Sequence, residues 1–118
     1  MKLIACILLL PLLAGCAAGP TRPPLFMSGD GPMYPPEAKA QGVEGYVKLR
    51  YAVTVDGTVE SLQVVDAKPV GVFEEAALNA VRAWRYKPMV VEGEIRRAEN
   101  VRSTLRFEVG NPERYEDL

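Results

Sequence analysis

The chain has 118 residues, 48% of them hydrophobic and 25% charged, which is typical of an ordinary globular protein. Its net charge of −1, with acidic and basic residues interspersed, argues against nucleic-acid binding, and the absence of histidine removes the commonest general base and metal ligand. These features predict one domain that binds no cofactor, holds no metal and catalyses no reaction.

The first fifteen residues have the parts of a secretory signal: Lys2, an apolar run from Leu3 to Ala14, and small residues before Cys16. The run has about twelve residues, whereas a membrane-spanning helix needs about twenty. Pro11 also interrupts the run. We therefore predict that residues 1–15 are a signal peptide. Because Cys6 lies within this peptide, the mature chain has no pair of thiols for a disulfide.

The end of this signal resembles a bacterial lipobox, formed by Leu13, Ala14, Gly15 and Cys16. The resemblance implies that Cys16 is lipidated, with palmitate among the acyl chains, and becomes the first mature residue. Because Ala17 rather than aspartate follows, it also implies outer-membrane attachment, with the protein facing the periplasm. An ordinary signal with a chance cysteine is the alternative.

Residues 16–33 are rich in proline, glycine and small residues, which predicts a flexible tether after Cys16. Its fully extended length is roughly 50 Å. Leu25, Phe26 and Met27 are apolar exceptions. They either dock on the domain or form an exposed motif for a partner.

The next segment predicts a short helix and a β-hairpin. Tyr34 to Gly42 has prolines at its first turn and a terminal glycine, as a two-turn helix requires. A half-buried strand over 46–55 follows, and its apolar side carries Val47, Leu49, Tyr51, Val53 and Val55. Asp56 and Gly57 predict a two-residue turn into a returning strand, which has a bulge between Val59 and Leu62.

The remaining elements are a helix and a last strand. Between Val72 and Tyr86 an apolar stripe at helical spacing predicts a helix that contains Trp84 and ends at Pro88. From about Asn100 to Val109 the alternation predicts a strand; Val101, Leu105, Phe107 and Val109 are predicted to face the core, and Arg102, Thr104, Arg106 and Glu108 solvent.

The element order α-β-β-α-β predicts an α+β two-layer sandwich. A three-stranded antiparallel sheet would have both helices on one face. The domain is predicted to span residues 34–109, with a polar C-terminal tail over 110–118.

Together these segments resemble the C-terminal domain of the TonB family. The resemblance is carried by Tyr34-Pro35, the turn at Gly42-Val43-Glu44-Gly45, Asp56-Gly57, the helix from Phe73, and Trp84-Arg85-Tyr86-Lys87-Pro88. It implies a protein that binds short segments of periplasmic partners, such as an outer-membrane transporter or another envelope protein. Partner segments would pair with the edge of the last strand, at Val101, Arg102, Ser103, Thr104, Leu105, Arg106 and Phe107. The family's partner contacts also implicate Tyr34 and Pro35.

Several alternatives stay open. The chain's own tail, or a second copy in a homodimer, would also cover the edge of the last strand. Tyr34 would equally serve as a hydrophobic staple for the first helix, and Trp84 as a core residue. The family's energy transducers need an inner-membrane helix and a long proline-rich spacer, and we expect neither here. A lipid-anchored envelope adaptor is therefore the alternative to a transport protein.

Overall fold

The computed structural model describes residues 19–110 and 115–117. The predicted signal peptide, the residues Leu13, Ala14 and Gly15, and the predicted lipidation site Cys16 lie outside the described residues. In the predicted tail, the described part is Gly110 and residues 115–117.

The fold is mixed α/β, with two helices and a central antiparallel sheet. The elements, in chain order, are β1 (Leu25–Ser28), α1 (Pro36–Ala40), β2 (Gly45–Val53), β3 (Val59–Lys68), α2 (Glu74–Arg82), β4 (Arg85–Lys87), β5 (Met89–Val91), β6 (Glu94–Arg96), β7 (Ala98–Phe107) and β8 (Tyr115–Asp117). The predicted three strands are β3, β2 and β7, and β8 extends the sheet to the order β3-β2-β7-β8. Two small antiparallel pairs, β1-β4 and β5-β6, lie outside it.

One core connects the helices to the sheet. Its buried side chains come from both helices, from β2 and β7, and from the segments beside α2; they are Tyr34, Ala38, Val47, Leu49, Tyr51, Val53, Ala67, Phe73, Ala77, Val81, Trp84, Tyr86, Ala98, Leu105 and Phe107. Phe73 and Phe107 stack with their ring centroids 4.3 Å apart. Because no disulfide is expected, this apolar burial is the main source of stability.

The hairpin of β2 and β3 is confirmed, but its turn is longer than predicted. Thr54 and Thr58 close the turn through the hydrogen bond from the N–H of Thr54 to the carbonyl of Thr58, so three residues, not two, form the loop. Gly57 takes φ = +82°, which suits the last residue of such a loop. Val55 was predicted to face the core, but it lies in this loop and is half exposed.

The predicted bulge in the returning strand is present. The register between β2 and β3 shifts between Arg50 and Ala52, and Ser61 has φ = +54° at that point. A second shift, between Lys48 and Leu49, was not predicted. It turns Val65 outward, where the side chain is half exposed.

The second helix is shorter than the sequence predicts. It begins at Glu74 and ends at Arg82, and residues 85–87 form β4 instead of the last helical turn. Tyr86 donates its N–H to the carbonyl of Gly57. Tertiary pairing therefore overrides the helical period at this point. Trp84 is completely buried, as predicted for a core residue, although it follows the helix and does not lie within it.

Two predictions of side-chain direction in the last strand are wrong. Thr104 was predicted to face solvent, but it is 1% exposed because strands pair on both sides of it, with Lys48 opposite on β2 and Glu116 on β8. Val109 was predicted to face the core, but β7 ends at Phe107, so Val109 lies in the following turn and is half exposed.

The segment predicted as a flexible tether is partly built into the fold. Leu25–Ser28 forms β1, which pairs with β4. Of the two alternatives for the apolar residues, docking holds for Phe26, which packs against the core. Leu25 and Met27 alternate with Phe26 along the strand and stay exposed. The folded unit therefore begins well before Tyr34.

We expect Gly57→Ala to lower the free energy of unfolding more than Gly42→Ala. Both glycines have positive φ, at +82° and +65°, so both variants bear the left-handed strain of about 1–2 kcal/mol. Only at Gly57 would the new Cβ meet a neighbour, lying 2.0 Å from the Tyr86 carbonyl oxygen. This overlap should add about 1–3 kcal/mol. Urea unfolding measures both, and equal losses would contradict the Gly57–β4 contact.

Glu74 should make the stability of the domain sensitive to acid. The N–H of Gly71 donates to its carboxylate at 2.6 Å, with a smaller contribution from Phe73, and holds the pKa of Glu74 below its usual 4.5. A carboxyl with a lowered folded pKa adds stability above pH 4.5 that is lost as the pH falls through the folded pKa. Glu74→Gln should therefore flatten the acid limb of a stability–pH curve. Equal curves for Glu74→Gln and the unmodified protein would contradict this role.

Candidate partner-binding edge

Strand β7 carries the residues predicted to bind a partner, and its two edges differ. One edge pairs with β2 along its whole length, from Ala98 opposite Val53 to Phe107 opposite Gly45. On the other edge β8 pairs only with Ser103, Thr104 and Leu105. The chain's own tail therefore covers the middle of the predicted edge, as one alternative anticipated. At Val101 and Arg102, toward the start of β7, no described strand pairs with this second edge.

The predicted binding side chains differ in exposure. Arg102 is exposed and Val101 and Arg106 are half-buried, whereas Ser103, Thr104, Leu105 and Phe107 are buried. Pairing with an added strand uses main-chain N–H and C=O groups, so buried side chains do not prevent it. At the start of the predicted site, the main chain at Val101 and Arg102 therefore stays accessible to an added strand.

A groove lies beside this accessible part. Pro23, Pro24, Leu25 and Phe26 line it with Tyr86, and Asn100, Val101 and Arg102 line it from β7. It has a volume of about 310 Å³, and its exposed lining is mostly apolar. We call it the β1–β7 groove. Its β7 wall is the uncovered strand edge, and its other wall belongs to the segment predicted as a tether.

Aromatic packing holds that second wall in place. The ring of Phe26 meets Trp84 and Tyr86 edge to face, with centroid distances of 5.2 and 5.7 Å. The indole N–H of Trp84 donates to the carbonyl of Asp30 at 2.9 Å. A Cβ on Gly29 would lie 2.2 Å from the indole ring, so only glycine allows the chain to cross there. Residues 26–30 thus wrap around one buried side chain.

Hydroxyl groups join the groove to the sheet beneath it. The hydroxyl of Tyr51 lies 2.5 Å from that of Tyr86 and 2.7 Å from that of Ser103, and all three residues are buried. This hydroxyl cluster connects β2, β4 and β7. Buried polar groups are costly when unpaired, so the cluster favours one position of β4 against the sheet. Strand β1, which pairs with β4, is positioned with it.

Tyr34 and Pro35 lie away from this groove. Tyr34 is buried, its ring lies edge to face against Phe73 and Phe107, and its hydroxyl donates to the carbonyl of Val43. Pro35 lines a separate shallow depression with Met33 and Val72. The structure therefore places Tyr34 in the core, where its ring packs against Phe73 and Phe107 and not against a partner shown in the first helix.

The described residues contain no group of three or more acidic or cysteine side chains arranged to hold a metal ion. Within the same part of the chain, no helix is long and apolar enough to cross a membrane. The groove combines a mostly apolar surface with the exposed side chain of Arg102, and it lies beside a strand edge that no described strand covers. This chemistry suits an extended peptide.

Outside the last strand, the sequence raised part of the groove only as an open alternative, since Leu25 and Phe26 were expected either to dock on the domain or to form a motif for a partner. Pro23 and Pro24 were assigned to a tether and Tyr86 to a helix. The apolar run Leu25-Phe26-Met27 was the available signal, because three large apolar residues are unusual in a solvated linker.

Comparison with known proteins identifies similar chains. Residues 30–109 match the family described as Gram-negative bacterial TonB protein C-terminal. The TonB protein of Escherichia coli strain K12 is 45% identical over 65 residues, which is 55% of this chain and 27% of that protein. The TonB protein of Pseudomonas aeruginosa is 38% identical over 56% of this chain and 19% of its own length. This chain thus matches only about a quarter or less of these relatives.

Two solved structures have the same fold. The C-terminal domain of Pseudomonas aeruginosa TonB superposes with a TM-score of 0.56 and 30% identity, covering 77% of this chain and 89% of that one. The TonB2 protein of Vibrio anguillarum superposes with a TM-score of 0.55 and 34% identity, covering 67% of this chain and 74% of that one.

We expect Tyr51→Phe to destabilise the fold by about 1–2 kcal/mol, because Tyr86 and Ser103 each lose a buried hydrogen-bond partner. The matched control is Tyr46→Phe, on the same strand, whose hydroxyl donates to Asp66 at an exposed position. That variant should lose less than about 0.5 kcal/mol. Chemical denaturation compares the two. A loss at Tyr51 no larger than at Tyr46 would show that the hydroxyl cluster does not stabilise the fold.

Proposed function

The chain belongs to the family of the Gram-negative TonB protein C-terminal domain, and on that premise we propose that it is a periplasm-facing lipoprotein that binds partner proteins by strand addition. The observation that carries the proposal is the strand edge at Val101 and Arg102, which no described strand covers and which forms one wall of the β1–β7 groove. We propose no enzymatic activity.

Strand addition fits the physical character of this edge. An extended peptide would satisfy main-chain N–H and C=O groups of β7, and its alternate side chains would enter the apolar groove. Beyond Arg102 the peptide would meet β8, so binding over Ser103–Leu105 requires β8 to give up its pairing. The partner class is an outer-membrane transporter or another envelope protein, in keeping with the family.

Attachment to a membrane through lipidated Cys16 completes the proposal. The lipid would place the groove at the periplasmic face of the outer membrane. There the domain would take part in TonB-type transport or serve as an envelope adaptor that binds the same peptides.

Strand addition can be tested with synthetic peptides from periplasm-facing segments of outer-membrane transporters of the same organism. We expect titration calorimetry of the full-length protein in detergent to identify a binding segment. N-methylation of that peptide at alternate residues should weaken binding by about 2- to 10-fold per lost hydrogen bond. N-methylation at the intervening residues should leave the affinity unchanged. Uniform sensitivity at every position would exclude strand pairing.

The groove can be tested with two matched charge substitutions. Leu25 lines the groove and is 44% exposed, whereas Ile95 is 58% exposed and lies outside it. Leu25→Asp should weaken peptide binding by about tenfold, the equivalent of about 1.4 kcal/mol. Ile95→Asp should leave the affinity unchanged. Equal effects of the two substitutions would place the peptide elsewhere.

Lipidation is tested by two cysteine variants. Cys16→Ser should move the protein from the membrane to the soluble periplasmic fraction, because the acyl chains supply the membrane affinity. Cys6→Ser, in the predicted signal peptide, should leave the protein membrane-bound. Mass spectrometry of the mature N-terminus gives an independent readout. A mature N-terminus of the unmodified protein that carries no acyl chains would contradict the proposal.

A further inference from the structure

The segment just after the proposed lipid anchor is bound to the β5-β6 hairpin. The N–H of Arg22 donates to the carbonyl of Val90 at 2.8 Å, and the N–H of Val90 donates back at 3.0 Å. The N–H of Gly93 donates to the carbonyl of Pro20 at 2.9 Å, and the N–H of Glu92 donates to the hydroxyl of Thr21, also at 2.9 Å. Residues 19–22 therefore lie along the hairpin like an added strand.

Direct backbone contact closes this arrangement at the hairpin tip. A Cβ on Gly19 would lie 2.6 Å from the Cα of Gly93, and a Cβ on Gly93 would lie 3.1 Å from the Cα of Gly19. The two backbones therefore approach closely at Gly19 and Gly93, and a side chain at Gly19 would push them apart. We call residues 19–22 together with the tip residues Glu92 and Gly93 the N-terminal clamp.

Chain length then limits how far the clamp can lie from the lipid. Gly19 is three residues after Cys16, and three residues span at most about 11 Å. The tether length expected from the sequence was roughly 50 Å. The clamp therefore removes most of the reach that an unbound linker would allow.

We propose that the N-terminal clamp holds the domain against the membrane in one orientation, with the β5-β6 hairpin at the lipid headgroups. This inference rests on the proposed lipidation of Cys16. The short chain between Cys16 and Gly19 is what brings the hairpin to the lipid. Charge does not attract it there, because the exposed side chains of Glu94 and Arg96 on the hairpin form an ion pair 3.0 Å apart. Ile95, which is 58% exposed, adds apolar surface at the same end.

The orientation has a consequence for partner choice. The β1–β7 groove begins at Pro23, the residue after the clamp, so it lies within about 25 Å of Cys16 along the chain. A partner segment must therefore reach the groove close to the surface of this membrane. Partners held at the opposite membrane would be poorly placed.

Two exposed residues report the orientation. Ile95 is three residues before Ala98, which pairs with Val53 at one end of β2. Val70 follows Lys68 and Pro69, which contact Gly45 at the other end of β2. Eight residue steps separate these ends, or about 26 Å. Val70 is 84% exposed, so a label there should be tolerated as well as one at Ile95.

The test uses full-length lipoprotein in vesicles of phosphatidylethanolamine and phosphatidylglycerol that contain a headgroup nitroxide lipid. Ile95→Cys or Val70→Cys supplies the labelling site for a fluorophore, because lipidation occupies the thiol of Cys16 and Cys6 is predicted to be removed. We expect severalfold stronger quenching at position 95 than at position 70. Equal quenching, or stronger quenching at position 70, would overturn the orientation.

A second variant separates the clamp from the anchor. Gly19→Val should force residues 19–22 off the hairpin and lower quenching at position 95 toward that at position 70, while the protein still floats with the vesicles. Thr21→Ser keeps the hydroxyl acceptor for Glu92 and should retain the wild-type difference. An unchanged difference in Gly19→Val would overturn the clamp and leave the proposed function intact. A labelled protein that does not float would overturn both the lipid anchor and this inference.

Discussion

The burial of Trp84 beneath residues 26–30 is the interaction on which the rest of the structure depends. Its indole is completely buried, and it contacts Phe26 edge to face and donates a hydrogen bond to Asp30. A fully buried aromatic side chain of this size contributes several kcal/mol to folding. Part of that burial is supplied by a segment that precedes the helices and the main sheet. Removing the segment would expose the indole, so the segment belongs to the domain.

The same contact shapes the candidate site. Because Phe26 is held against Trp84 and Tyr86, β1 stands beside the uncovered edge of β7 and makes a groove of what would otherwise be an open strand edge. Open edges invite non-selective pairing with other chains. Here β8 covers the middle of the edge and β1 flanks its start. In the proposed binding mode, a partner would have to fit the groove as well as pair with the strand, which would make binding selective.

The N-terminal segment thus has two successive roles. Residues 19–22 pair with the β5-β6 hairpin, and residues 23–26 form a wall of the groove. Between Gly19 and Phe26, the chain therefore passes from the hairpin to the groove while bound to the domain. Such an arrangement differs from a domain at the end of a long spacer, since its position is set by hydrogen bonds and not by chain statistics.

Local patterns in the sequence predicted the elements that bury one regular apolar face. Alternation predicted the hairpin and its bulge, helical spacing predicted α2, and Asp56-Gly57 marked the turn. The family resemblance, carried by these segments, directed attention to β7. Features that depend on distant contacts could not be predicted in this way. The stripe of α2 continues to Trp84 in the sequence, but pairing of Tyr86 with Gly57 ends the helix at Arg82.

Tertiary structure alone decided which parts of the supposed tether and tail are folded. A proline- and glycine-rich segment has no local preference for helix or strand. Residues 19–30 are instead ordered by the aromatic side chains of Trp84 and Tyr86 and by main-chain hydrogen bonds with β4 and with residues 90–93. The pairing of residues 115–117 with β7 likewise depends on a strand edge that exists only after the sheet has formed. The sequence by itself determined which segments bury a regular apolar face. The assembled fold decided where the β1–β7 groove lies, because each of its walls comes from a different, distant part of the chain.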